Sequence, residues 1–152
     1  MAIDVAFVGT ALPTSSLLVD AARLRAFALA IGETNPIYLD TDAALAGGHP
    51  GLPVPPTFLF GIELEAPEPF AWLSDLGVDL RHILHGDQSF VYTDVAHAGD
   101  TLVATPHIAE IYAKKGGELE FIVKQTAVTR ADGGAVADLV STIVVRHPVG
   151  AG

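Results

Sequence analysis

"LEFIVKQTAVTR", residues 119–130, is the stretch that decides the fold. Leu119, Phe121, Val123, Gln125 and Ala127 recur at every second position, and Glu120, Ile122, Lys124 and Thr126 take the places between. Successive side chains of extended backbone point to opposite sides, so this alternation predicts a strand with two distinct faces. Three further runs share its β-branched and aromatic character: QSFVYTDV at 88–95, TLVATPHIAEIYA at 101–113 and AVADLVSTIVVRH at 135–147. Turn-forming clusters separate them, namely His97-Ala98-Gly99-Asp100, Lys114-Lys115-Gly116-Gly117 and Ala131-Asp132-Gly133-Gly134. Strands joined this closely run antiparallel.

The first half of the chain has a different pattern. DAARLRAFALAI, residues 20–31, sets Leu24, Phe27, Ala28 and Ile31 at helical spacing, with Asp20 placed to cap the start and Gly32 to end it. A shorter helix is expected at 40–47, opening on acids and closing on glycines. GHPGLPVPP, residues 48–56, carries four prolines and two glycines, which forbids regular structure. Thr57 is expected to cap a helical piece, TFLFGIELE, and residues 68–76 to add a turn or two. Helices followed by an antiparallel sheet give the α+β class, in one domain spanning 1–152.

Composition narrows the function. Half the 152 residues are hydrophobic and 17% are charged, which excludes a disordered chain. Eight Lys and Arg against 18 Asp and Glu leave a net charge of −10, and a surface of that sign repels nucleic acid. No apolar run is long enough to span a bilayer, and the N-terminus lacks the early basic residues of a signal peptide. A cytoplasmic location without membrane attachment is therefore expected. With no cysteine there is neither disulfide nor thiolate chemistry. The few charges beside so many apolar residues suggest a buried interface.

Several separated motifs resemble one family. AIGETNPIYLD at 30–40, the GHPGLPVPPTF loop, LHGDQSFVY, HAGDTL and YAKKGGELEF resemble the MaoC-like dehydratases, most closely their N-terminal-type domain, the FAS1-like dehydratase domain. The resemblance runs from about Thr10 to Arg146. It implies a hot-dog fold, a long central helix wrapped by a curved antiparallel sheet. It also implies pairing with a second hot dog, as a homodimer or as a heterodimer with another MaoC-like subunit. The implied chemistry is reversible hydration of a trans-2-enoyl thioester to the (R)-3-hydroxyacyl thioester. Coenzyme A or acyl carrier protein enters as part of the substrate, and no separate cofactor is implied.

The family's loop reads G-D-x-N-P-[I/L]-H, its aspartate and histidine holding one water between them. Glu33 stands at the aspartate position, Asn35 at the asparagine and Tyr38 at the histidine. Glutamate keeps the carboxylate on a longer arm, and displacing a catalytic group by about 1 Å costs about a hundredfold in rate. A phenol titrates near 10 where an imidazole titrates near 6.5, so tyrosine exchanges protons poorly at neutral pH. The altered pair thus points to a chain that relies on a partner for the chemistry. A non-catalytic acyl-thioester-binding or scaffolding subunit and a hot-dog thioesterase are the alternatives.

His85 is a second acid–base candidate, paired with Asp87 if the segment is a strand; otherwise it is a strand-entry residue bonded to backbone. The resemblance further implies substrate binding at Pro56, Thr57 and Gly86. Asp79, His82, His85 and Asp87 lack the spacing of a metal site, so no metal is expected.

Overall fold

The β-branched runs of the second half become strands of one curled sheet, and the first half lays short helices and a proline-rich loop along it. The computed structural model describes residues 2–148; the ends of the expected 1–152 domain, residue 1 and residues 149–152, lie outside the described residues. The strands are β1 (Ser15–Leu18), β2 (Ile83–Tyr92), β3 (Thr101–Lys114), β4 (Leu119–Arg130) and β5 (Ala135–Arg146). They lie in the order β1-β3-β4-β5-β2, every neighbouring pair antiparallel. Register shifts at Ile108/Glu110 on β3 and His85/Asp87 on β2 mark bulges, which bend the strands that carry them.

The helices are α1 (Ala21–Ala30), α2 (Thr41–Ala46) and α3 (Ala71–Asp75), with a ten-residue 3₁₀ helix at Pro56–Glu65. Asp40 caps α2 through its side chain, which accepts from the Asp42 N–H. Asp20 occupies the N-cap of α1 without a side-chain bond. Gly32 follows the C-cap with φ at +74°, a conformation that suits glycine.

The structure corrects the sequence reading in four places. A short strand, β1, forms at Ser15–Leu18 against β3, where none was expected. The strand expected at 88–95 begins earlier, at Ile83, and ends at Tyr92. It also does not pair with the next strand: in the connection that follows, Ala96 and Ala98 bond to the proline loop, with Val54 N–H donating to Ala96 O and Ala98 N–H to Leu52 O, both at 2.8 Å. β2 is thereby carried across to β5, leaving its far side as an open edge. Lastly, the helix after the proline loop starts at Pro56 with Pro55 as N-cap, so Thr57 is not the cap. Proline suits the first helical position because the N–H it lacks has no partner there anyway.

Two apolar clusters fill the inner face. The larger gathers Leu24 of α1, Leu52 and Val54 of the loop, Phe58, Leu59 and Ile62 of the 3₁₀ helix, and Leu102, Val128 and Leu139 of the sheet. The smaller joins Ile3, Leu73, Val78, Ile108, Ile122 and Val145. On β4 the inner face is the set Glu120, Ile122, Lys124, Thr126 and Val128, all but Lys124 buried.

Candidate functional site

The loop after α1 is built by its own side chains. Glu33 N–H donates to Ala28 O at 2.9 Å, closing the helix end. The Glu33 carboxylate then turns back, its Oε1 accepting the Thr34 and Asn35 N–H groups, each at 2.9 Å. Asn35 accepts from Ile37 N–H at 3.2 Å and opens the 3₁₀ turn Pro36–Tyr38. An acid and an asparagine at these positions therefore shape the loop whatever else they do.

Tyr38 faces a small cavity of about 110 Å³, shared with Val54, Pro56, Leu59, Tyr92 and Val136. That volume has room for a few waters or a short apolar group. Glu33 does not line it. The Tyr92 phenol is pushed up to about 12, by burial first and by Tyr38 second, so it stays a neutral hydrogen-bonding group at physiological pH. The structure thus brings Tyr38 and Pro56 to one cavity and leaves Glu33 committed to its own loop. Asn35 and Thr57 are exposed.

His85 belongs to a different place. It is the third residue of β2, and the bulge between His85 and Asp87 breaks the alternation that would set the two side by side. Its ring stacks on Phe60 at 5.1 Å between centroids, beside an apolar cavity of about 280 Å³ under the 3₁₀ helix and α3. Phe60, Leu64, Phe70, Trp72, Leu84 and Ile143 are among the residues of its wall. Gly86 fits the bulge by packing: a Cβ there would lie 2.7 Å from Val144 Cγ2 and 3.3 Å from Thr142 O.

This cavity also has a charged floor that the sequence reading did not single out. Lys124 Nζ lies 2.9 Å from Glu63 Oε1, the side chains only 12% and 16% exposed. Thr126 donates its hydroxyl to Glu63 Oε2 at 3.1 Å, and the Lys124 ammonium sits 5.6 Å from the Trp72 ring centre. Directly across from Lys124 on β5, Ser141 bonds to Gln88 of β2, continuing a polar row toward the open edge. The visible signal was a lysine on the same face of the strand as Ile122.

A third cluster buttresses the proline loop. His49 Nδ1 and His97 Nε2 are 2.9 Å apart, and His97 is held below its ordinary value, by burial first and by the His49 charge second. Asp100 accepts from the His97 N–H and pairs with Arg130. Among the described residues, no group of three or more His, Asp or Glu is arranged to hold a metal ion. No helix is long and apolar enough to cross a membrane among those residues.

The family model described as "FAS1-like, dehydratase domain region" matches residues 6–139. A protein of Streptomyces avermitilis named UPF0336 protein is 39% identical over 120 residues, covering 78% of this chain and 80% of its own length. Among solved structures, the C-terminally truncated HadBC complex of Mycobacterium tuberculosis, a (3R)-hydroxyacyl-ACP dehydratase, superposes with a TM-score of 0.71 at 25% identity. That match covers 88% of this chain and 92% of the solved one. A structure named MaoC-like dehydratase gives a TM-score of 0.79 at 24% identity over 93% of this chain and 42% of its own. The curled five-stranded sheet wrapped around the Pro56–Glu65 helix is the hot-dog fold of these dehydratases.

Proposed function

The chain belongs to the FAS1-like dehydratase domain family, and we infer from this that it is a subunit of an acyl-thioester hydratase or dehydratase whose proton transfers are made by a partner hot-dog chain. The reaction adds the hydroxyl of water to C3 and a proton to C2 of a trans-2-enoyl thioester, reversibly. One observation supports this assignment of roles: Glu33 and Tyr38, the two altered positions, do not line a common cavity. The Glu33 carboxylate accepts the Thr34 and Asn35 amides of its own loop, and Tyr38 faces a cavity that Glu33 does not line. A positioned acid–base pair contributes on the order of a hundred- to ten-thousand-fold each, and in this reading the partner's loop supplies it.

What this chain offers instead is surface and space. The ten-residue edge of β2 has hydrogen-bonding groups directed outward, and Leu84, Val91 and Tyr92 along it are exposed. An unprotected edge of that length is a template for another strand. The apolar cavity opens beside the same edge, at Leu84 and His85, so an acyl chain delivered at a two-chain junction would enter it. In this reading Glu33 and Asn35 hold the loop, Pro56 and Thr57 begin the helix that roofs the cavity, His85 lines its rim, and Gly86 makes the bulge beside it.

The test is substitution on either side of the pair. Glu33→Gln in this chain leaves crotonyl-CoA hydration by the two-chain enzyme within about threefold, whereas removing the partner's dyad carboxylate lowers it by at least a hundredfold. A collapse of turnover from Glu33→Gln alone, with the fold intact, would assign the chemistry to this chain.

A further inference from the structure

Basic residues are scarce in this chain, and they are not evenly spread. A cleft of about 720 Å³ lies where the start of β2, the β3–β4 turn and the end of β5 meet. Its wall holds Arg81, Lys115 and Arg146, three of the chain's eight Lys and Arg, but only Glu118 of its eighteen Asp and Glu. His82 and His147 add two imidazoles. Asp79 pairs with Arg81 at 2.6 Å and occupies its Nε and Nη2, and Glu120 holds His147. Lys115 and Arg146 make no ion pair among the described residues.

Backbone geometry singles out Lys115 independently. Its φ is +51°, the one positive value at a non-glycine among the described residues, and Gly116 and Gly117 follow it. Glycine or asparagine would occupy that conformation more easily. A lysine kept there at a local cost points to a use for its charge.

We propose that this cleft binds the phosphates of a coenzyme A-type carrier, the adenosine 3′,5′-diphosphate end of an acyl thioester. Two unpaired cations, Lys115 and Arg146, suit phosphate groups, and Leu84, Leu119 and Val144 give the purine an apolar wall. A local positive site is what a dianionic group needs on a protein of net charge −10. The proposal rests on the acyl-thioester reading and adds the carrier to it.

The cleft serves the partner's reaction and not a dyad on the same chain. It touches β2 at Ile83 and Leu84, whereas the Tyr38 cavity touches β2 at its other end, Tyr92. Eight residues of strand separate them by about 26 Å. A two-fold related strand added to the β2 edge runs antiparallel and sets its own Tyr92-equivalent end beside this chain's Leu84. The carrier would then lie on this chain while its thioester reaches the partner's loop.

Calorimetric titration of the full chain with adenosine 3′,5′-diphosphate and with coenzyme A tests this, in wild type and in a Lys115→Gly/Arg146→Gln variant. Wild type binds both ligands in competition, and the variant loses about a hundredfold, roughly tenfold per charge-assisted contact. Lys115→Gly relaxes the backbone, so the variant keeps or raises its melting temperature while losing ligand, which a merely structural role for the turn would not produce. Arg23→Ala, remote from the cleft and paired to Glu65, leaves binding unchanged. Equal affinity in wild type and variant, or binding of an acidic carrier protein but of neither small ligand, would overturn the proposal. Hydration of a crotonyl-pantetheine thioester, which carries no phosphate, by the two-chain enzyme reports on the hydratase reading separately.

Discussion

Replacing Lys124 by methionine removes one half of a charged pair from the inner face of the sheet and keeps the length of its stem. At 2.9 Å the pair attracts by about 6 kcal/mol at an effective dielectric near 20, most of it offset by the cost of taking both groups out of water. The measurable loss comes from what stays behind. Glu63 is left with the Thr126 hydroxyl as its one side-chain donor among the described residues, in a setting only 16% exposed. Orphaning a fully buried charge costs about 3–5 kcal/mol, so partial exposure here brings the expectation to about 2–3 kcal/mol. For a domain near 150 residues that is a fall of about 5–10 °C in melting temperature. Glu63→Gln alone is costly in the same way, whereas Glu63→Gln with Lys124→Met leaves no charge to orphan and recovers most of the stability. Urea unfolding of the four proteins closes the cycle, with an expected coupling of at least about 1 kcal/mol. A Lys124→Met loss below about 0.5 kcal/mol, or a double variant as unstable as the two losses added, would refute the reasoning.

Gly86→Ala forces a methyl group to within 2.7 Å of Val144 Cγ2, and it destabilises by about 1–3 kcal/mol, with partial rescue by Val144→Ala in the same urea assay. His97 is depressed in the folded state, so the unfolded chain binds its proton first. Its contribution is therefore fully present above the unfolded value near 6.5 and is lost as the pH falls through the lower folded value. Urea midpoints measured at about pH 7.5 and about pH 5.5 show this loss in wild type and a smaller one in His97→Gln, read against the common background of other groups. Asn35→Ala removes the acceptor that starts the Pro36–Tyr38 turn and costs about 1 kcal/mol, measured in the same way.

How far the sequence carried can be judged residue by residue. The alternation at 119–130, the glycine-bearing turns at 116–117 and 133–134, Gly32 after α1 and Asp40 before α2 are local signals, and each is used locally in the fold. β1 escaped notice because Ser15–Leu18 is too short to show a period and is a strand only by pairing with β3. His85-Gly86-Asp87 looks like a break in the sequence, yet it is a bulge inside β2, since glycine serves either purpose. That β2 pairs with β5 depends on backbone bonds between two loops about forty residues apart, at Val54/Ala96 and Leu52/Ala98, which no short window contains. The same holds for the candidate site. The motif placed Glu33, Asn35 and Tyr38 on one loop, but only the coordinates separate the Glu33 carboxylate from the Tyr38 cavity. Lys124 was visibly on the Ile122 face, while its partner Glu63 comes from a helix far along the chain.

Hydration of crotonyl-CoA, followed by loss of the enoyl-thioester absorbance, tests the central claim most directly. It is measured with the purified chain alone, with a MaoC-like chain carrying an intact G-D-x-N-P-x-H loop, and with the two mixed. The account predicts no turnover above buffer for this chain alone and turnover in the mixture exceeding that of the partner by itself. Robust hydration by the single chain, or no gain on mixing, would contradict it.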